Sequence, residues 1–208
     1  MVQGLGERGS VAVYIDGEGI PPRHIRDHLR LLPEGGATIS VRRNPDWGIG
    51  HERKLAEMFE LWLVSRIFNV DPLPDGQCGL WSLSWEAANV IDLRARTFEV
   101  ELDLLTELLL NKVPLRFVDV EVEPADGTTF RKEDHRKKLL FLAAKFKLSP
   151  DAVMREFEGF SRINGSPPEL RRAVEDVVSL IREVRGYDAV YSKDPPLFDR
   201  SSSLRAIS

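Results

Sequence analysis

The chain has 208 residues, 42% of them hydrophobic and 30% charged, enough apolar material to bury a substantial core and too much for disorder along most of its length. A formal net charge of −4 offers no overall field to draw in phosphate backbones, and a single cysteine, Cys78, excludes an internal disulfide framework and any multi-cysteine zinc site. No apolar run reaches the roughly 18 residues of a membrane span, and the opening MVQGLGERGS lacks a signal-peptide core, so a cytoplasmic protein without membrane contact is expected.

Val11 to Ile15 is a short, continuous apolar run that predicts a strand covered on both faces at the centre of a parallel sheet. Asp16-Gly17 ends it, Pro21-Pro22 opens a helix over 23–32, and Gly35-Gly36 breaks that helix. Residues 38–43 alternate, with Ile39 and Val41 on one face, and predict a second strand; strand, helix, strand is the βαβ pattern. Leu55, Met58, Phe59, Trp62, Leu63 and Ile67 recur at helical spacing and predict an amphipathic helix over 52–68.

Residues 71–76 read as a loop, 81–91 as a helix, and 100–110 as a helix burying Leu102, Leu105 and Leu109. Residues 115–122 alternate Val118, Val120 and Val122 against Asp119, Glu121 and Glu123, the pattern of a strand with one wet face. Past Pro124 only helices are expected: 132–147, then 150–157 capped by Ser149, then a helix to about residue 185 opened by a Ser166…Glu169 capping box, before a frayed tail from 201. The expected fold is therefore α/β, a mainly parallel sheet flanked by helices over 1–127, with a helical segment over 128–208 packed on it.

In such a sheet, ligands sit beyond the carboxyl ends of the strands, which puts Asp16 in a place for chemistry. Further carboxylates follow in two groups, Glu99, Glu101 and Asp103, then Asp119, Glu121, Glu123 and Asp126. Converging carboxylates repel unless a hard divalent cation neutralises them, and metal-assisted phosphodiester hydrolysis is the natural use of such a set. Solvated helix faces and a plain Asp-Gly turn are the structural alternatives.

The segment VAVYIDGEGIPPRHIRDHL, followed by ISVRRNPDW, resembles the opening of NYN domains in the PIN-like nuclease superfamily, over about the first quarter of the chain. The resemblance implies a compact α/β fold, a Mg2+ or Mn2+ site and ribonuclease activity, with Asp16 as a metal ligand and Asp103, similar in order to the family's second aspartate, as another; Asp119 and Asp126 enter as catalytic candidates from the last carboxylate group. Gly19 stands where the family has asparagine, Asn44-Pro45 replaces Tyr-Gly before Asp46-Trp47, and the late Ser-Gly-Asp-Ser-Asp motif is replaced by Pro124-Ala125-Asp126-Gly127. Those departures leave a diverged or inactive relative open.

A rival centre is PDGQCGLWSL around Cys78, which resembles the nucleophile segment of ovarian-tumour-type (OTU) cysteine proteases. A thiol at a helix N-terminus has a depressed pKa, and the one histidine downstream that could act as base is His135. A non-catalytic protein-interaction module is the third reading. RNA, if bound, would meet Arg23, Arg26, Arg30, Arg42 and Arg43, although a solvated face accounts for these as well. His24 and His28, four apart on the first helix, are expected to face solvent, and Gly48-Ile49-Gly50-His51 matches no nucleotide-binding loop.

Overall fold

The structure is a computed structural model and describes residues 11–15, 21–43, 49–95, 99–122 and 131–183. The elements in chain order are β1 (Val11–Ile15), α1 (Pro22–Leu31), β2 (Ala37–Arg42), α2 (His51–Phe68), β3 (Leu80–Ser84), α3 (Trp85–Asn89), α4 (Val100–Leu110), β4 (Leu115–Val120), α5 (Lys132–Lys145), α6 (Pro150–Asn164) and α7 (Pro168–Glu183). They form two compact units. The first takes residues up to 51, 74–93 and 100–129; the second takes 52–73, 94–99 and the chain from 130 onward. Apart from its first residue, α2 thus groups with the later helices, an association that chain order does not display.

The first unit is α/β, and its four-stranded sheet has the order β1-β3-β2-β4. β3 runs antiparallel to both neighbours, with Val13 opposite Ser82 and Ile39 opposite Trp81, while β2 and β4 are parallel, with Ser40 opposite Val118. The sheet is therefore mixed where a mainly parallel one was expected, and β1 lies at an edge where a central place was expected. The cause is β3. Residues 81–91 were read as one helix, but Leu80-Trp81-Ser82-Leu83-Ser84 alternates in strand fashion, and Ser84 then caps α3 by accepting from the Ala87 N–H at 3.1 Å. Inserted between β1 and β2, β3 converts the expected βαβ unit into a split one. Because β1 and β2 are each antiparallel to β3, β1, β2 and β4 all point the same way.

Alternation gives the β2–β3 sheet two unlike faces. Ala37, Ile39, Trp81 and Leu83 make an apolar face, and Thr38, Ser40, Arg42, Ser82 and Ser84 make a polar one, all of them buried. Helix α1 lies on the polar face: the Thr38 hydroxyl donates to the His28 carbonyl at 3.4 Å.

The second unit is helical. Phe59 of α2 meets Phe157 and Phe160 of α6 at ring-centroid distances of 5.2 and 5.4 Å, one edge-on and one tilted. The expected one-sided stripe on α2 is too narrow, since Ala56, Leu61 and Val64 are buried along with Leu55, Phe59 and Leu63. So are two carboxylates, each compensated: Glu57 by Arg53 at 2.9 Å and Glu60 by His135 of α5 at 2.7 Å. Helix α6 runs past its expected end at 157 because Phe160 continues the buried face, and it stops before Gly165. The Ser166 capping box does not form: α7 starts at Pro168, the Ser166 hydroxyl has no partner among the described residues, and Glu169 pairs with Arg172 instead.

Three chain segments cross at Gly36. Its carbonyl accepts from the Ser84 N–H at 2.9 Å, its own N–H donates to Pro33, and Ala37 beside it donates to the Pro114 carbonyl at 2.9 Å. A β-carbon at residue 36 would collide with the Pro33 ring and with that carbonyl. Gly36→Ala is therefore expected to cost about 2 kcal/mol through overpacking. A urea melt with a lower midpoint and an unchanged slope checks this, and an unshifted midpoint would refute it.

Candidate functional site

With β1, β2 and β4 pointing one way, their carboxyl ends share one edge of the sheet, the usual location of sites in open α/β folds. Ile15, Arg42 and Val120 end the three strands there. The segment entering β3 comes back across the same edge, since an antiparallel strand starts where its neighbours stop. Gly79, at a φ of 79°, supplies the left-handed turn that leads into Leu80.

The dominant interaction at this edge joins Arg42 to Asp75. The Asp75 carboxylate accepts from the Arg42 guanidinium at Nε and, at 2.8 Å, at Nη2; it accepts from the Arg42 backbone N–H and the Gln77 N–H at 3.0 Å each. Both side chains are buried, at 4% and 0% exposure. Withdrawing two charges from water is tolerated only where the geometry is bidentate and the remaining lone pairs are used, as they are here. This pair fastens the loop before β3 to the end of β2.

Beside it lies a polar layer. Ser40 donates to the Leu80 carbonyl at 2.6 Å and sits 3.3 Å from His28 Nε2. When Ser40 donates to Leu80, it is placed to accept from His28 Nε2 in the tautomer that carries its proton there. Nδ1 of His28, Nε2 of His24 and the Ser82 hydroxyl have no partner among the described residues, although all are buried. His24 and His28 thus point inward, correcting the expectation that they face solvent. Burial, reinforced by the neighbouring His24 charge and opposed by Asp27, pulls His28 down to about 4, so it is neutral at physiological pH.

Cys78 belongs to the same neighbourhood. Burial first, then the Asp75 carboxylate, push its thiol up to about 12, against weaker opposing effects of Arg42 and a hydrogen bond with Ser40. Glu101, in the first turn of α4, adds to the rise. The thiol precedes a strand and not the helix N-terminus that an activated cysteine was expected to use. His135 lies in the helical unit, its Nδ1 engaged by Glu60, with Lys138 at 3.7 Å from the same carboxylate.

The remaining expected residues divide as follows. Asp16 and Asp126 lie outside the described residues, as do Glu123 and the Asp46-Trp47 pair. Asp103 is fully buried in the first turn of α4. Asp119 is largely exposed and bonded to Arg43 at 2.7 Å. Among the described residues no group of three or more His, Cys, Asp or Glu side chains could hold a metal ion, so Asp103 and Asp119 do not by themselves make the expected Mg2+ or Mn2+ site. Of the five arginines, Arg23, Arg26, Arg30 and Arg43 are exposed and Arg42 is sequestered. No helix among the described residues is long and apolar enough to cross a membrane.

The sequence alone gives Ser40 no role and shows Asp75 and Gln77 only as members of the PDGQCGLWSL segment. The signal was present: Thr38, Ser40 and Arg42 alternate with Ile39 and Val41, and a polar strand face needs either water or a covering element with polar groups of its own. Comparison with known proteins finds no matching family model, curated protein or solved structure.

Two outcomes test the site's physics. Asp75→Asn should cost roughly 3 kcal/mol or more by leaving Arg42 buried without its counter-charge, while the double change Arg42→Met with Asp75→Leu should recover most of the loss. Denaturant unfolding of Arg42→Met, of Asp75→Leu and of the pair closes the cycle, and additive losses would contradict the coupling. For His28 the folded value lies below the unfolded one, so on acidification the unfolded chain takes up its proton first. Stability should then be full above about pH 6.5, fall by on the order of 3 kcal/mol toward pH 4, and level off below. His28→Gln should flatten that slope, and an identical slope in the variant would count against the assignment.

Proposed function

We propose that the chain is a ribonuclease of PIN-like type, with Asp16 as its principal catalytic carboxylate. The observation that carries this reading is the common carboxyl edge of β1, β2 and β4. Asp16 follows directly in sequence on Ile15, the last residue of β1, and Asp103 stands in the first turn of α4, the helix that precedes β4. Phosphodiester hydrolysis needs carboxylates gathered at one place, and this edge is where such folds gather them. A bound Mg2+ or Mn2+ would stabilise charge on the phosphate and lower the pKa of an attacking water. Asp103 and Asp119 do not complete its ligand set, so the remaining ligands would have to include Asp16 and Asp126.

A second reading, a non-catalytic interaction module on the same scaffold, is favoured by a different observation. Arg42, Asp119 and Cys78, all reactive groups in principle, are each neutralised or engaged by a neighbour. The cysteine-protease reading has less support, because a thiol held near 12 is not a nucleophile at neutral pH.

Asp16→Asn is the discriminating change. Cleavage of a labelled single-stranded RNA that requires Mg2+ or Mn2+, stops with EDTA and falls at least a hundredfold in the variant, with the melting temperature unchanged, is the expected result. Equal cleavage by variant and wild type would refute the assignment of Asp16. Absence of cleavage by the wild type with either metal would leave the interaction module as the better account.

A further inference from the structure

The α/β unit carries four exposed arginines on α1 and on the sheet face that α1 covers. Arg23, Arg26 and Arg30 are exposed on α1, three and four residues apart, which puts them on one stripe of the helix over about 10 Å of its length. The stripe faces the β4 side, because Arg23 reaches Glu121, just past β4, at 3.7 Å. Arg116 of β4 pairs in register with Thr38, whose hydroxyl contacts α1, so Arg116 lies on the face that α1 covers and is itself exposed. Helix α1 runs back from the carboxyl edge, so Arg23 is the arginine of the stripe nearest that edge and Arg26 and Arg30 follow away from it, with Arg116 near the opposite end of β4.

We propose that this group of arginines is the track for the backbone of single-stranded RNA, leading it to the carboxyl edge of the sheet. The inference rests on the ribonuclease reading for the direction of the strand, while the track itself is a claim about binding. Charge complementarity supports it: in a protein of net charge −4, four cations on α1 and the face it covers are a local reversal of sign. All four are arginines, whose planar fork grips a phosphate through two hydrogen bonds where a lysine offers a point charge. Among the described residues, only Arg23 of the four has an ion pair, and that pair is loose and exposed on both sides. Asp27 is exposed on the same side of α1 and Glu121 sits beside Arg23. These carboxylates would repel a continuous anionic surface such as a membrane more than a single strand, which can set its phosphates between them. Arg42 and Arg43 are not part of the track, since Asp75 and Asp119 hold them.

The test is fluorescence anisotropy with a labelled oligouridylate in EDTA, where cleavage cannot contribute. Wild type should bind with an affinity that falls as salt rises. The double variant Arg26→Gln with Arg30→Gln should bind at least tenfold more weakly and with a salt slope shallower by about 1.4, the loss of two single-strand phosphate contacts. Adding Arg116→Gln should deepen both effects, and because all three residues are exposed, thermal melts of the variants should match wild type. Unchanged affinity and slope in the variants would overturn the track, as would equal competition by polyglutamate or tighter binding to phosphatidylserine vesicles than to the oligonucleotide. The two readings fail separately. Lost cleavage in Asp16→Asn with intact variant-sensitive binding supports both, whereas cleavage whose KM ignores the arginine changes removes the track and leaves the nuclease.

Discussion

The buried pair of Arg42 and Asp75 is the constraint around which the α/β unit is arranged. A guanidinium and a carboxylate out of water demand near-complete hydrogen bonding, and that demand is met by bringing a loop some thirty residues downstream onto the end of β2. Once Asp75 is fixed there, Gln77 is held by its backbone, Cys78 is left half-buried, and the chain is aimed into β3 between its two neighbours. The position of Cys78 and the neutrality of its thiol are thus consequences of an ion pair formed three residues earlier.

The same economy of polar groups governs the layer beneath α1. A sheet face of Thr38, Ser40, Ser82 and Ser84 cannot be covered by leucines without stranding its hydroxyls, and α1 covers it with histidines. The helix consequently carries its leucines partly outward, Leu29 and Leu31 being 43% and 39% exposed. Its charged residues Arg23, Arg26, Asp27 and Arg30 still face outward, and histidines take the inward places that leucines would fill on an aliphatic sheet. A polar interlayer of this kind stabilises less per unit area than an apolar one but fixes register, because each hydroxyl has few acceptable partners.

Much of the element order was legible from periodicity alone. The strands at 11–15 and 115–120 and the helices at 51–68 and 100–110 carry strong local patterns, and Gly50 and Pro114 stand just before two of them. The errors share a cause. Residues 81–91 look helical because Trp81 and the alanines of α3 share a plausible helical window, yet Leu80 to Ser84 pairs as a strand with segments more than forty residues away. Strand order and direction are likewise set by non-local contacts. The histidines were misplaced because their burial depends on the sheet face they meet, which no property of 23–32 encodes. Arg42 and Arg43 are adjacent in sequence and look alike, but strand alternation sends one inward to Asp75 and the other outward to Asp119.

The split arrangement of β1 and β2 also bears on how the molecule is made. Two strands complete within the first 42 residues share no hydrogen bonds with each other, because β3 occupies the place between them. Until residue 84 has left the ribosome, the earlier strands have only α1 to hold them and keep open the edges that β3 will fill. Sheet formation in this unit must therefore wait on a late segment, and the loop closures it requires are long, which sets its folding on the slow side for its size. During synthesis the incomplete edges of β1 and β2 are the surfaces most in need of protection from pairing with another chain.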